Sequence, residues 1–257
     1  MERSKNKVVV ITGAGSGIGK ACVKKFTSSG AIVYAIDLNE SALNALSANT
    51  PYVKTRVCDV SNAQSVEVLI NEIGKTHGTM DILINNAGII RYGIATETSE
   101  DIWDEVMNSN LKSAWLCSKY SIPWMHSGNG GVIINVSSVQ AFITQTGVAA
   151  YTTSKTAMLG LTRSIAVDYA PKIRCLAVCP GSVDTPMLRN AINASSDPEA
   201  LFKACEDMHL TGTIGKPEQI AALISFLSSE DAAFMTGQAV RIDGGLGVSI
   251  PGSPEDK

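Results

Sequence analysis

The stretch Val8-Val9-Val10-Ile11-Thr12-Gly13-Ala14-Gly15-Ser16-Gly17-Ile18-Gly19 decides the fold that this chain of 257 residues is predicted to adopt. It begins with a continuous apolar run rich in β-branched residues, which is typical of a strand buried on both faces of a parallel sheet. A glycine-rich turn follows, and residues 20–29 are expected to form a helix that stops at Gly30. A strand, a glycine turn and a helix in this order present unpaired N–H groups and the positive end of the helix dipole to phosphate groups. We therefore expect a phosphate-bearing ligand here, the alternative being a glycine turn that binds nothing.

The residues after this turn indicate which phosphate-bearing ligand fits. The pattern is T-G-x-x-x-G-x-G rather than G-x-G-x-x-G, since Ile18 takes the place of the third glycine. A second strand, residues 31–36, ends at Asp37, where a carboxylate either accepts hydrogen bonds from ribose hydroxyls or is an ordinary strand-end residue. Its charge would repel a 2′-phosphate, and neither Ser16 nor Leu38 supplies a compensating cation. The pattern therefore favours NAD over NADP.

Strands and helices alternate along the rest of the chain. Strands are expected at residues 52–58, 81–84, 131–136, 173–179 and 238–243, and helices at 62–77, 99–126, 151–170 and from about 216. This alternation requires parallel pairing with right-handed crossovers. We predict one doubly wound α/β domain over residues 1–257, with seven strands. Residues 187–212 interrupt the alternation, which favours a mobile cap over a pocket at about 186–212.

Composition argues against several classes of partner. Lysine and arginine number 21 against 24 acidic residues, so the net charge of −3 gives no reason to expect nucleic acid or an anionic membrane. The first apolar run, residues 8–11, is too short for a signal-peptide core or a membrane span, and a cytoplasmic location is expected. The six cysteines form no C-x-x-C and the three histidines are far apart. No metal site built by the protein is expected, and the cysteines are interpreted as buried apolar residues.

Tyr151 and Lys155 lie four residues apart in a segment expected to be helical, so both fall on one helix face. An ammonium beside a phenol favours the phenolate and lowers the pKa of the tyrosine from about 10. Such a tyrosine can exchange a proton near neutral pH, as the interconversion of alcohols and carbonyls requires. The pair alone is weak evidence, because Y-x-x-x-K usually lies on a solvated helix face.

Two asparagine motifs add to this picture. Asn85-Asn86-Ala87-Gly88 ends an apolar strand, which predicts amide side chains holding strand ends and small residues beside a ligand. Asn110 lies inside a predicted helix, where asparagine is unfavourable because its amide competes for backbone hydrogen bonds. It is either a surface residue or one that holds a carbonyl or a water near the site.

Together these motifs resemble the short-chain dehydrogenase/reductase family in identity, order and spacing. They are Thr12-Gly13-x3-Gly17-x-Gly19, Asp37, Asp59, Asn85-Asn86-Ala87-Gly88, Asn110, Ser138, Tyr151-x3-Lys155 and Pro180-Gly181. The resemblance spans residues 7–245. It implies a single-domain Rossmann fold with strand order 3-2-1-4-5-6-7. It also implies a homotetramer in which helices 99–126 and 151–170 pack between subunits.

The resemblance implies roles for individual residues. Tyr151 would be the general acid/base, and Lys155 would lower its pKa and hold the nicotinamide ribose. Ser138, rather than its neighbour Ser137, would hydrogen-bond the substrate oxygen, and Asn110 would anchor a water that links Lys155 to solvent. The glycine turn would bind the pyrophosphate of NAD, Asp37 would bind the ribose, and Asp59 and Val60 would contact the adenine. The segment after the sixth strand, through Pro180, Gly181, Val183 and Thr185, would orient the nicotinamide. The full implied cofactor set is Gly13, Ser16, Gly17, Ile18, Gly19, Asp37, Leu38, Asp59, Val60, Asn86, Ala87, Gly88, Tyr151, Lys155, Pro180, Gly181, Val183 and Thr185.

The substrate prediction depends on residues between the serine and the tyrosine. Gln140 and Gln145 are expected to line the pocket with Ser138 and Tyr151, and they suit a polyhydroxylated ligand. Residues 138–141 and 166–171 resemble those of microbial NAD-dependent aldose 1-dehydrogenases, which implies oxidation of a sugar at its anomeric carbon to a lactone. Arg91 is either a contact for the carboxylate of a sugar acid or, as we prefer, a solvated loop residue.

Alternative functions remain open at this stage. Within enzymes they are a 3-oxoacyl thioester reductase and a hydroxysteroid dehydrogenase, and Asp37 argues against a reductase that draws on NADPH. Outside enzymes the alternative is a non-catalytic NAD-binding regulator, although all four catalytic positions are present. The tail, residues 248–257, is hypothesised to reach the pocket of a neighbouring subunit.

Overall fold

Residues 4–248 are described by a computed structural model in which seven strands form one parallel sheet. The order is β3-β2-β1-β4-β5-β6-β7, so the predicted Rossmann topology is confirmed. The strands are β1 (Val8–Thr12), β2 (Ile32–Asp37), β3 (Lys54–Val57), β4 (Ile82–Asn85), β5 (Gly131–Val136), β6 (Ile173–Pro180) and β7 (Ala239–Ile242).

Helices connect these strands and cover both faces of the sheet. They are α1 (Gly17–Thr27), α2 (Glu40–Ala48), α3 (Ala63–His77), α4 (Glu100–Met107), α5 (Ser113–Ser127), α6 (Ala149–Tyr169), α7 (Pro186–Asn193), α8 (Pro198–Asp207) and α9 (Pro217–Leu227). A π-helical turn, Asn108–Lys112, joins α4 to α5. Within the described residues, no helix combines the length and the apolar content needed to cross a bilayer.

Alternate side chains of the central strand serve two cores. Val9 and Ile11 of β1 pack with residues of α1, α2 and α9 on one face of the sheet. Val8 and Val10 pack with residues of α3, α5 and α6 on the other face. All five β1 residues are buried, which explains why the run is apolar throughout instead of alternating with polar residues.

A buried polar connection crosses the second of these faces close to the carboxyl ends of the strands. The Asn85 amide donates to the Asn135 side-chain oxygen at 2.8 Å and to the Ser118 hydroxyl at 3.2 Å. Asn135 in turn donates to the Thr162 hydroxyl at 2.9 Å. These bonds tie β4 and β5 to α5 and α6, so the strand ends that border the site are fixed by paired polar groups.

Three local features differ from the sequence prediction. Helix α1 begins at Gly17, three residues before its predicted start, because the glycine turn itself supplies the first helical turn. Helix α2 was not predicted at all, although Asn39 caps it by accepting a hydrogen bond from Ala42 N at 3.0 Å. The segment 186–212, which the sequence predicted only as a cap without assigned helices, contains α7 and α8.

The tail beyond residue 248 lies outside the described residues, so the hypothesis that it reaches a neighbouring subunit stays a prediction.

We predict that Gly74→Ala lowers the free energy of unfolding, although alanine is the better helix former by about 1 kcal/mol. An added Cβ at Gly74 would lie 2.2 Å from the Trp124 ring, where α3 and α5 pack together. Overpacking at such a contact costs about 1–3 kcal/mol, which denaturant unfolding would measure. Trp124→Leu combined with Gly74→Ala should be less destabilising than the sum of the two single changes. Additive effects would show that the two helices do not clash there.

Candidate active site

A cavity of about 920 Å³ lies where the carboxyl ends of the strands meet the following loops. In a doubly wound sheet this edge is where ligands bind. Of the residues predicted to bind cofactor or substrate or to catalyse, all but two line this cavity. The lining members are Gly13, Ser16, Gly17, Ile18, Asp37, Leu38, Asp59, Val60, Asn86, Ala87, Gly88, Ser138, Gln140, Gln145, Tyr151, Lys155, Pro180, Gly181, Val183 and Thr185. The two exceptions, Gly19 and Asn110, support the cavity wall from behind.

The glycine turn is held against the end of β4. A Cβ at Gly19 would lie 2.1 Å from the carbonyl oxygen of Gly13, so only glycine permits this approach. The Asn86 amide donates to the carbonyl oxygens of Thr12 and Gly13, each at 3.0 Å. The Thr12 hydroxyl accepts hydrogen bonds from the N–H groups of Asn86 and Ala87, also at 3.0 Å. The first N–H groups of α1 therefore border a narrow cradle that has glycine at positions 13, 17 and 19.

A second observation supports the fit of a dinucleotide at this cradle. Gly17 has a φ of +48°, and a Cβ there would lie 3.0 Å from Cγ2 of Thr185, the residue that caps α7. The cradle is therefore too narrow for a side chain between α1 and α7, while the α1 N-terminus carries no acidic residue in its first turn. A pyrophosphate bound there would meet unpaired N–H groups and the positive end of the helix dipole.

Asp37 faces the glycine turn from the end of β2. Its Oδ2 accepts a hydrogen bond from Gly15 N at 2.8 Å, and its Oδ1 accepts one from Asn39 N at 2.9 Å. The carboxylate is thereby fixed in the cavity wall with lone pairs left for further donors. The neighbouring Leu38 is 66% exposed and apolar, so the position beside Asp37 offers no cation.

Tyr151, Ser138 and Lys155 meet at the centre of the cavity, and all three are buried. The Tyr151 and Ser138 hydroxyls are close enough to hydrogen-bond. Lys155 Nζ donates to the Val136 carbonyl at 2.9 Å and lies 5.7 Å from the centroid of the Tyr151 ring. The Ser137 hydroxyl instead donates to the main-chain carbonyl of Lys155 at 2.8 Å, which leaves Ser138 as the serine beside the phenol.

The protonation of this group differs from the simple expectation that Lys155 lowers the pKa of Tyr151. Burial raises the pKa of Tyr151, with a smaller lowering contribution from the hydrogen bond to Ser138. Burial also lowers the pKa of Lys155 to about 8, because the protein desolvates the ammonium. The sequence argument considered only the charge of the lysine, whereas burial is the larger influence on the pKa of each group.

Asn110 fixes the chain beside Tyr151 and Lys155. Its Oδ1 accepts a hydrogen bond from Ile89 N at 2.7 Å, and its Nδ2 donates to the Ile89 carbonyl and to the Ser154 hydroxyl, each at 3.0 Å. The π-helical turn brings this fully buried side chain inward, which explains an asparagine inside a helical segment. The predicted water link to Lys155 stays a prediction, and both amide N–H groups are already used within the protein.

The substrate end of the cavity contains residues that the sequence argument missed. The hydroxyls of Thr144 and Thr152 are 2.7 Å apart, and Thr152 donates to the Gln140 side-chain oxygen at 3.4 Å, so the Gln140 amide is held in place. Further walls are Ile90, Tyr92, Ile143, Ser182, Leu188, Leu201, Cys205, Met208 and Leu246. These residues come from segments that are far apart in the chain and belong to no local motif. The one sequence signal for those on α7 and α8 is that these helices carry apolar side chains on exposed positions.

Few of the side chains that line this cavity are charged. Among its described walls only Asp37, Asp59 and Lys155 carry charge. Arg91, which the sequence placed near the site, does not line the cavity. Its guanidinium donates to both carboxylate oxygens of Glu105 at 2.9 and 2.6 Å.

We predict that Lys155→Met makes the protein more stable at pH 7, since methionine fills a similar volume without a buried charge. A lysine whose pKa falls from 10.5 to about 8 on folding lowers the free energy of unfolding, and this destabilisation has its full size below pH 8. Between pH 8 and 10.5 the unfolded chain keeps a proton that the native state has lost, so this cost fades as the pH rises. Denaturant unfolding should show a gain of about 1–3 kcal/mol at pH 7 that shrinks by pH 10.5. Lys112→Met, at an exposed position, is the control, and an equal gain in both variants would contradict the assignment.

Comparisons with known proteins agree with this geometry. A family model described as enoyl-(acyl carrier protein) reductase matches residues 13–247. Dehydrogenase/reductase SDR family member 6 of Rattus norvegicus is 40% identical over 249 residues, covering 95% of this chain and 99% of the relative. 3β-Hydroxysteroid dehydrogenase 2 of Eggerthella lenta is 38% identical over 246 residues, covering 93% and 94%. The solved structure of an aldohexose dehydrogenase from Thermoplasma acidophilum superimposes with a TM-score of 0.92 at 37% identity, covering 98% of each chain.

These relatives span nearly the whole length of the chain, and the solved structure shares its fold. Such proteins are oxidoreductases that act on CH–OH groups with a nicotinamide cofactor. The chain therefore belongs to the short-chain dehydrogenase/reductase family.

Proposed function

We propose that this protein oxidises a neutral secondary or anomeric alcohol with NAD, and that its substrate is an aldose converted at C1 to its lactone. The observation that carries the reaction is the buried group of Tyr151, Ser138 and Lys155 inside a cavity that also holds the glycine cradle. When bound, NAD would supply the acceptor for the hydride. The chain's own residues would bind the alcohol, exclude water and manage the proton.

In this proposal Ser138 and Tyr151 both hydrogen-bond the alcohol oxygen, and Tyr151, after losing its own proton to solvent, accepts the alcohol proton as the hydride leaves. Burial raises the pKa of Tyr151, which makes the phenol a stronger base once it is deprotonated. Protonated Lys155 would stabilise the phenolate across the short distance between the two side chains, since a buried site screens charge weakly. Because burial lowers the pKa of Lys155 to about 8, we expect this support to weaken above that pH.

NAD rather than NADP is proposed on the position of Asp37. Its carboxylate is fixed by Gly15 N and Asn39 N beside the cradle, where it can accept hydrogen bonds from ribose hydroxyls. A 2′-phosphate would meet this negative charge without a cation among the described cavity walls near it. Asp59, whose Oδ1 accepts hydrogen bonds from the Ser61 N–H and hydroxyl, would border the adenine with Val60.

An aldose is proposed on the neutral polar groups that line the same cavity as Tyr151. Gln140 and Gln145 lie in the cavity wall with Thr144 and Ser195, and these side chains offer neutral donors and acceptors to sugar hydroxyls. The structural similarity to an aldohexose dehydrogenase supports this choice. A hydroxysteroid is the second candidate, because Ile90, Ile143, Leu188 and Met208 give the same cavity a broad apolar wall.

We further propose a homotetramer in the cytoplasm. Trp103 of α4, Trp115 of α5 and Val167 of α6 are 38%, 46% and 80% exposed, and apolar surface of this kind is typical of subunit interfaces. All six cysteines are free and buried, as expected in a reducing compartment.

The test of the reaction is NAD reduction with a panel of aldoses, sugar acids, polyols and hydroxysteroids. We expect activity with an aldose, and Tyr151→Phe should lower kcat by about 10²- to 10⁴-fold because the phenol is the proton acceptor. NAD affinity of the variant, measured by fluorescence titration, should stay close to that of the wild type. Activity with steroids alone would keep the mechanism and replace the substrate. A wild-type protein that binds NAD but oxidises no alcohol would contradict the proposal.

The test of cofactor choice is Asp37→Asn. The change keeps the shape of the side chain, removes the charge and replaces one of the two oxygens that accept from Gly15 N and Asn39 N by an NH2 group. We expect KM for NAD to rise about tenfold or more and the preference over NADP to fall. Adding Leu38→Arg should favour NADP further by supplying a cation for the 2′-phosphate. Glu67→Gln removes a carboxylate on the exposed face of α3 and is the charge-matched control. An unchanged ratio of kcat/KM for the two cofactors in Asp37→Asn would reject the role of this residue.

A further inference from the structure

His209 is a buried histidine outside the catalytic group. It follows α8 and is only 3% exposed. Its Nε2 lies 3.1 Å from Ser182 N, and its Nδ1 lies 2.7 Å from the carbonyl oxygen of Cys205. An amide N–H can only donate and a carbonyl can only accept, so both roles of the ring are fixed. The imidazole is therefore held as the neutral tautomer that carries its proton on Nδ1.

The bond to Ser182 joins two segments that both border the cavity, and the bond to Cys205 orients the ring against the end of α8. Ser182 belongs to the loop after β6, which is expected to contact the nicotinamide, and Cys205 belongs to α8, which lines the substrate end. A Cβ at Gly181 would lie 2.7 Å from Nε2 of His209, so the loop and the ring pack without room for a side chain.

The loop is fixed from its other side as well. The Ser182 carbonyl accepts a hydrogen bond from Gly215 N at 2.8 Å, and Asp184 N donates to the Gly215 carbonyl at 2.8 Å. His209 is thus the side chain that ties the loop to α8, whereas Gly215 ties it to the segment before α9. Two other contacts hold the ends of the loop: Gly181 N donates to the Ile242 carbonyl at 3.1 Å, and the Arg189 guanidinium of α7 donates to the Asp184 carboxylate. Removing the His209 bond would leave these contacts in place and would break the side-chain link between the loop and the end of α8.

We propose that His209 is a positioning residue that makes the loop of residues 181–184 and helix α8 move as one unit. The His209 ring thereby fixes the distance between the loop that is expected to orient the nicotinamide and the helix that lines the alcohol pocket. This inference rests on the proposed function, because it assigns the two walls to the cofactor and to the alcohol. His209 touches neither reactant and acts only through Ser182 and Cys205.

Two substitutions divide the ring's contacts. In His209→Gln, the side-chain oxygen can reach the position of Nε2 and accept the hydrogen bond from Ser182 N. In His209→Asn, the shorter amide reaches only the position of Nδ1, where it can donate a hydrogen bond to the Cys205 carbonyl. His77→Asn is the matched control. His77 Nε2 lies 2.9 Å from the Tyr34 hydroxyl of β2, so the shorter amide loses a comparable hydrogen bond, and neither residue lines the cavity.

The first measurement is hydrogen exchange of segment 181–184 and of α8, with and without NAD. In the wild type and in His209→Gln, NAD should slow exchange in both segments. In His209→Asn it should slow exchange in the loop alone, since α8 is no longer linked to it. Protection of α8 by NAD that is the same in all three proteins would overturn the inference. Because this readout needs cofactor binding and no turnover, it remains decisive even if the proposed alcohol oxidation fails.

The second measurement is steady-state kinetics with the alcohol found by the panel. His209→Asn should raise KM for the alcohol and lower kcat/KM by about 10- to 100-fold, and His209→Gln and His77→Asn should stay within about threefold of the wild type. A purely structural role predicts a smaller active fraction, which lowers kcat but leaves KM for the alcohol unchanged. That pattern, or equal losses in the Gln and Asn variants, would contradict a positioning role.

Discussion

The close approach of Gly13 and Gly19 is the constraint on which the rest of the structure depends. With no side chain on either residue, the first turn of α1 packs against the end of its own strand, and the Asn86 amide bonds the carbonyls of Thr12 and Gly13. This places the α1 N-terminus at the point where β1 pairs with β2 on one side and β4 on the other. The chain crosses to opposite faces of the sheet from this point, so a crevice opens there. Every other functional residue is positioned relative to that crevice.

The buried ammonium of Lys155 is a second constraint, and it acts against stability. A charge in the interior is costly unless it is paired, and here Nζ donates to the Val136 carbonyl, which carries no charge. The surrounding structure holds it nonetheless, because α6 is fixed by the Asn110–Ser154 bond on one side and by the Asn135–Thr162 bond on the other. A stability cost retained at one buried lysine is what we expect of a group kept for its chemistry.

The sequence predicted the topology and the centre of the site for the same reason, namely that both depend on local patterns. A few neighbouring residues are enough to recognise the apolar strands, the glycine turn, Asp37 and the Tyr151–Lys155 spacing. The contacts that hold the site together cannot be recognised from neighbouring residues. Asn110 with Ile89, and His209 with Ser182, are pairs 21 and 27 residues apart that meet only through the sheet topology. The pKa of Tyr151 was misjudged for a related reason, because burial is a property of the folded chain.

The distribution of charge in the cavity limits the substrate more sharply than any single contact. Asp37 and Asp59 lie where ribose and adenine would bind, and Lys155 lies beside the phenol, so each has a task in the proposed reaction. The remaining described walls are neutral. A carboxylate bound away from Lys155 would lose its hydration without gaining a cationic partner among the described walls, a cost of several kcal/mol. Arg91, which suggested a sugar acid, is occupied by both oxygens of Glu105. A neutral alcohol loses far less hydration on entry, and the amides of Gln140 and Gln145 can replace the hydrogen bonds that its hydroxyls made to water.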